Sequence, residues 1–286
     1  MRADGGLMKR GFTLVELIIA IIMAGLVMGA VYQVLAKNQR FYRAQSQVTE
    51  VQQNVRAVAA VLPGDLRELA ASDGDIKAMG DSSITIRAMR SFTFACAPPD
   101  PATGAIVVRN STTYGYRSMD ATRDSLLVFR DGDSSVASDD RWILGGLASV
   151  TTPVVCTDGS AGTLLRMSGA NIGLLDSVRV GAPLRTFETV RYEYYDDGTG
   201  TWWLGVQSVS NGAWSALSPV AGPLSPGGGL RFTYLDANNN VTAVPGNVAA
   251  IRVFVRGQSS QQIMAEGRPR GFYRDSLQVL VSLRNN

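Results

Sequence analysis

Lys9-Arg10-Gly11-Phe12-Thr13-Leu14-Val15-Glu16, running on into Leu17-Ile18-Ile19-Ala20-Ile21-Ile22-Met23, decides the fold of this chain. The apolar run from Leu14 to Ala36 covers 23 residues and holds one charge, Glu16. As an α-helix it reaches about 35 Å, enough to cross a hydrocarbon core of about 30 Å. An acidic residue in mid-membrane costs about 2.5–3.5 kcal/mol on insertion scales, so Glu16 calls for a partner. A free amine would serve, and cleavage between Gly11 and Phe12 would create one. Lys9 and Arg10 stay on the cytoplasmic side by the positive-inside rule, which puts the bulk of the chain outside the cytoplasm. Met8 is an alternative start and would leave a short leader, Met8–Gly11.

Gly11, Phe12, Glu16 and the basic flank resemble the leader and first turn of type IV prepilins and of the pseudopilins of type II secretion. The resemblance implies that an inner-membrane aspartyl peptidase cuts after Gly11 and N-methylates Phe12. It also implies that Glu16 neutralises the N-terminus of a neighbouring subunit during filament assembly. Two other readings share part of the pattern. A secretory signal peptide has a basic start, but its apolar middle spans only about 7–15 residues, and Val34-Leu35-Ala36 is a marginal cleavage site. A plain signal anchor would require neither Glu16 nor cleavage.

Composition agrees with an exported globular protein: 286 residues, 45 % of them hydrophobic, supply one membrane helix and one substantial domain. Without residues 1–11 the net charge is +1, no basis for a basic nucleic-acid groove, so no direct nucleic-acid binding is expected. Histidine is absent, which removes Ser-His-Asp and Cys-His nucleophilic schemes and the usual zinc and haem ligand sets. No cofactor, metal site or catalytic residue is expected. Cys96 and Cys156 are too far apart for a CxxC site; in an oxidising compartment the pair reads as a disulfide closing a loop of about 60 residues. Such closure contributes on the order of 4 kcal/mol in the chain-entropy model. The alternative is two separate buried thiols.

Beyond the apolar run, Phe41, Ala44, Val48, Val51, Val55, Val58 and Leu62 recur at alternating spacings of three and four. That stripe predicts a helix continuing to Leu62 with one face on a core, ended by Pro63-Gly64. A short helical or turn segment is expected over Asp65–Ala71. The remainder reads as strands: Ser83–Met89, Ser91–Cys96, Ala105–Arg109, Ser125–Arg130, Thr163–Ser168, Thr186–Tyr195, Thr201–Gln207, Leu230–Asp236, Ala249–Arg256 and Ser276–Arg284. Ile251, Val253 and Val255 alternate with polar neighbours, as do Leu277, Val279, Val281 and Leu283. Asp196-Asp197-Gly198 and Asp236–Asn240 read as hairpin connections, so the sheet should be antiparallel. Ala97–Gly104 and Pro219–Gly229 read as exposed loops.

The order Thr186–Tyr195, an Asp-Gly turn, Trp202-Trp203-Leu204-Gly205 and Leu230–Asp236 resembles large minor pilins of the PilW type and J-type minor pseudopilins. The expected fold is α+β and pilin-like: a long N-terminal helix, membrane-spanning in its first half, packed on an antiparallel β headgroup. Residues 1–11 form the leader, 12–62 the helix with its membrane segment at about 14–36, and 63–286 the headgroup.

Elsewhere the chemistry is thin. Asp236, Asn238 and Asn240 have the oxygen spacing of a calcium loop but lack the glycine and distant glutamate of an EF-hand, so a turn is the better reading. Asp131, Asp133, Asp139 and Asp140 read as a solvated loop rather than a metal site. On a strand, Trp202 and Trp203 point to opposite faces, one to core and one to surface. Phe41-Tyr42 fits an interfacial anchor or helix packing in a filament. The resulting expectation is a minor structural subunit of a type IV pilus or secretion pseudopilus, in a priming or tip complex. Its partners would be the prepilin peptidase, other pilin or pseudopilin subunits and inner-membrane lipid. A membrane-anchored binding module or adhesin outside any filament is the alternative.

Overall fold

The structure, a computed structural model, describes residues 13–132, 135–264 and 269–284. Helix α1 (Leu14–Arg67) is followed by β1 (Ile76–Met79), β2 (Ser83–Phe94), β3 (Ala105–Arg109), β4 (Tyr114–Gly115), β5 (Asp124–Arg130), β6 (Arg141–Val155) and β7 (Ala161–Ser168). Then come β8 (Pro183–Asp196), β9 (Trp202–Ser210), β10 (Ala213–Trp214), β11 (Ser218–Leu224), β12 (Leu230–Leu235), β13 (Ala250–Ile263) and β14 (Gly271–Ser282). This is the expected α+β architecture, a long apolar-led helix followed by a large antiparallel sheet. The chain divides into two compact units, Met1–Glu50 with Ser259–Tyr273, and Val51–Gln258 with Arg274–Asn286.

In the larger unit β8 is central. β2 pairs along one side of it, while β9 and β5 share the other side, β9 at Val190–Asp196 and β5 at Leu184–Glu188. From β5 the path continues through β6, β7 and β3, all antiparallel. It then closes on itself: Ala95, just beyond β2, bridges Val108 of β3, and the Cys96 N–H donates to the Val107 carbonyl at 2.8 Å. The ring of β2, β8, β5, β6, β7 and β3 encloses one apolar core, with Ile106, Val108, Leu126, Val128, Ile143, Leu165 and Leu184 all nearly water-free. Leu175, on a short turn of 3₁₀ helix, packs into the same cluster. The other end of β8 carries β9, β11, β13 and β12, with β14 on β13.

The helix joins this unit through one stripe. Val51, Val55, Val58, Leu62 and Leu66 are all at most 3 % exposed. Gly257 of β13 admits the helix closely: a Cβ there would stand 2.9 Å from side-chain methyls of both Val51 and Val55. The expected stop at Pro63-Gly64 is displaced. α1 runs five residues beyond Leu62 to Arg67, with Pro63 inside it. An internal proline forfeits a backbone hydrogen bond and costs about 3 kcal/mol or more. Burial of Leu62, Pro63 and Leu66 and the bonds made by Asp65 offset that cost. The segment expected as a separate Asp65–Ala71 turn therefore starts as the last turn of α1.

Several strand boundaries also move. The two runs Ser83–Met89 and Ser91–Cys96 form one strand, β2, whose register against β8 shifts between Met89 and Ser91. Bulges of this kind add an unpaired residue and re-aim its side chain, here Arg90. β6 was not expected, because Gly145-Gly146 and Thr151-Thr152-Pro153 interrupt its alternation. Gly145 has a packing reason, since a Cβ there would run into the Met167 side chain. Pro219–Gly229, expected as an exposed loop, contributes most of β11, with Ala221 and Leu224 buried. Its two register shifts around Ala221 accommodate prolines that cannot donate to a ladder.

Candidate assembly segment

From Thr13 to Leu35 every side chain of the N-terminal segment is exposed, including Leu14 at 75 % and Met28 at 72 %. An 18-residue window within α1 has a mean hydropathy of 2.6 and is 0 % buried, so the helix is long and apolar enough to cross a membrane. Its residues are helix-compatible throughout, and no proline interrupts it before Pro63. Gly25 and Gly29 stand one turn apart with open space where a Cβ would be. Glycine weakens a helix interior by about 1 kcal/mol relative to alanine. Small residues at this spacing are where membrane helices approach each other closely. The sequence reading had passed over this pair.

Glu16 sits at the helix start in a reciprocal arrangement with Thr13. The Glu16 N–H donates to Thr13 Oγ1 at 3.2 Å, while the Thr13 N–H and hydroxyl each donate to Glu16 Oε2 at 3.4 Å. This is a capping box, which satisfies backbone donors that the first turn leaves open. Both donors are neutral. Among the described residues Glu16 has no cationic partner. Gly11 and Phe12 lie outside the described residues.

The opposite end of α1 is fastened by charge. Arg90, re-aimed by the bulge in β2, donates from Nη1 to Asp65 Oδ1 at 3.1 Å and from Nε to Glu188 Oε2 at 3.0 Å. Arg117 donates to the same Glu188 oxygen at 3.1 Å and to Asp124 Oδ1 at 2.6 Å. The Tyr192 hydroxyl donates to Asp65 Oδ2 at 2.8 Å. Burial opposes ionisation of Glu188, but bonds from Ser208, Arg90 and Arg117 outweigh it and hold the carboxyl below its ordinary range. Burial, then the neighbouring Asp65, pushes the Tyr192 phenol well up, so it remains a donor. Sequence reasoning missed this network. Its one signal is the parity change at Arg90, with inward positions Ile84, Ile86 and Ala88 before it and Ser91, Thr93 and Ala95 after it.

The other singled-out residues serve structure. Cys96 and Cys156 are joined in a disulfide with Cα atoms 5.3 Å apart, tying the end of β2 to the residue after β6. Asp236 Oδ1 accepts the N–H groups of Asn238 at 2.9 Å and Asn240 at 2.8 Å, and Asn239 has φ of 62°, so the acidic oxygen is committed to the turn. Asp131, Asp139 and Asp140 are half-buried, and Asp133 lies outside the described residues. Among the described residues no group of three or more Asp, Glu, His or Cys could hold a metal. Trp202 and Trp203 correct the expected division into core and surface, for both are half-buried. Trp202 stacks on Tyr194 with centroids 4.5 Å apart, and Trp203 lies over Gly222 and donates to Asp197 at 3.0 Å. Phe41 and Tyr42 are exposed at 66 % and 72 %.

No curated protein and no solved structure matches the chain. Residues 7–32 match the family described as the prokaryotic N-terminal methylation motif. That motif implies processing by a prepilin peptidase and assembly with other pilins. The motif, the exposed apolar helix and the helix-then-sheet architecture are together consistent with a type IV prepilin-like protein.

Proposed function

We propose that the protein is a minor structural subunit of a type IV pilus or a type II secretion pseudopilus, acting in a priming or tip complex and carrying no catalysis of its own. The observation that carries this reading is Glu16, held among the described residues by neutral donors alone at the head of an exposed apolar helical segment within the methylation motif. Cleavage at Gly11/Phe12 would supply the N-methylated Phe12 amine as a cation, and an amine–carboxylate pair between subunits would fix their register. In an apolar filament core either charge alone would be expensive, which makes correct pairing decisive. Transfer of the helix from lipid to a filament core exchanges one apolar environment for another, so little hydrophobic free energy opposes assembly. Gly25 and Gly29 allow neighbouring helices to come close there. The headgroup, over 200 residues from Leu62 onward, is large for a subunit repeated along a filament, which supports the minor role.

Intact-mass and N-terminal peptide analysis from native membranes tests the processing step, and the expected chain begins at N-methylated Phe12. Glu16→Ala should leave cleavage intact and reduce recovery in filaments at least about tenfold, as expected when a charge buried in apolar surroundings loses its partner. Normal incorporation of that variant would sink the register role.

A further inference from the structure

The smaller unit has a charge pattern that filament register does not use. On the helix from residue 37 to 50 it carries Lys37, Arg40 and Arg43 against one acid, Glu50. Lys37, Arg40 and Arg43 are exposed, and among the described residues none forms an ion pair. At 3.6 residues per turn these three and Gln47 fall within an arc of about 120°. Gln47 Oε1 accepts the Ser260 hydroxyl at 2.9 Å and the Gln261 N–H at 3.2 Å, which places these two residues of β13 beside that face.

The position of this face is set by length. If Leu14–Ala36 fills the hydrocarbon core, Lys37 lies at its outer boundary and Arg43 about 9 Å beyond, within the headgroup layer. Tyr32, Phe41 and Tyr42, each at least 66 % exposed, bracket the same level, where aromatic rings favour the interface. We infer that Lys37, Arg40 and Arg43 form a docking surface for anionic phospholipid headgroups on the extracytoplasmic leaflet. The surface holds the unassembled subunit at a fixed depth. This rests on the membrane-anchored reading above. The charges favour lipid over an acidic protein partner because they are grouped at headgroup depth and flanked by aromatics.

The test reconstitutes the full chain into nanodiscs of equimolar phosphatidylcholine and phosphatidylglycerol, and native mass spectrometry reads which lipids stay bound. Each basic side chain near an anionic surface is worth about fivefold in affinity, so retained lipid should be enriched in phosphatidylglycerol roughly tenfold or more. The K37Q/R40Q/R43Q variant should lose that enrichment while still inserting, as judged by resistance to alkaline extraction. Arg56→Gln, further along the helix, should keep it. Equal retention of both lipids by the native chain overturns the proposal and leaves anchoring intact, as does enrichment that survives in the triple variant. Failure of the native chain to insert overturns the anchored reading and this proposal together. Cross-links from the face to another subunit in place of lipid assign it to a protein and overturn the proposal as well.

Discussion

The two ends of α1 carry one carboxylate each in a comparable local position, and their surroundings differ completely. Asp65, in the last turn, is met by Arg90 and Tyr192, and the leucines around it are water-free. Glu16, in the first turn, is met among the described residues by Thr13 alone, and the leucines around it are bare. Both stretches are apolar helix, so propensity does not distinguish them. The difference lies in the partner: Asp65 has a cation in Arg90, whereas Glu16 has none among the described residues. An element that exposes this much apolar surface also needs a second environment, whether lipid or other helices.

Charge gives the largest way to break the comparison. Arg90→Met removes the cation from Asp65 and Glu188 while keeping much of the bulk, leaving two part-buried carboxylates short of a partner. Breaking a buried pair from one side costs about 3–5 kcal/mol. A drop of that size is expected in denaturant unfolding of the detergent-solubilised chain. A loss below about 1 kcal/mol would mean that Arg117 and Arg123 suffice for Glu188 and that the helix end is held by packing. Next come paired truncations. Leu66→Ala should cost roughly 2–5 kcal/mol, since Leu66 is 0 % exposed. Leu26→Ala, 66 % exposed, should stay within about 0.5 kcal/mol in the same assay. Equal costs would show that the first half of the helix is already packed in the isolated subunit.

Third in size is the cap. Thr13→Ala removes the acceptor for the Glu16 N–H, and N-cap losses run about 0.5–2 kcal/mol of local helix stability. Hydrogen exchange should show faster opening confined to the first turn, with headgroup stability unchanged. Protection spreading to or lost from the headgroup would contradict the separation of the two ends.

What the sequence made legible follows the range of the forces involved. The apolar run, Glu16 and the methylation motif are contiguous, so composition and spacing sufficed. The stripe from Val51 to Leu62 was readable because its burial follows helical periodicity. The helix end was not, because Pro63 is a local breaker that a distant contact, Asp65 with Arg90, overrules. Likewise the single strand β2 was read as two, since its bulge reverses the inward parity at Arg90. β6 and β11 were hidden by glycines and prolines whose roles depend on Met167 and Trp203, residues far away in sequence. The methionine and the tryptophan fill space that a Cβ would occupy, and no pattern of period two records that.

The smallest effect concerns a second buried carboxylate of the headgroup. Burial raises the Asp75 carboxyl above its ordinary value, only partly countered by the Ala70 N–H at 2.9 Å and by Arg185 and Arg87. Glu188 is shifted the opposite way. A carboxyl lowered by folding contributes stability above its unfolded value that is lost as pH falls through the folded one. A carboxyl raised by folding does the reverse: its penalty is present at neutral pH and is relieved on acidification. The two therefore oppose each other in the acid range below about pH 5, where unfolded carboxylates titrate. Asp75→Asn keeps a side-chain oxygen for the Ala70 N–H and removes the opposing charge. The expected result is a Tm at pH 7 equal to or slightly above that of the native chain, with a steeper fall on acidification. A shallower acid fall would reverse the sign and show that Asp75 is stabilised as the anion by Arg87 at 3.7 Å, with Arg185 assisting.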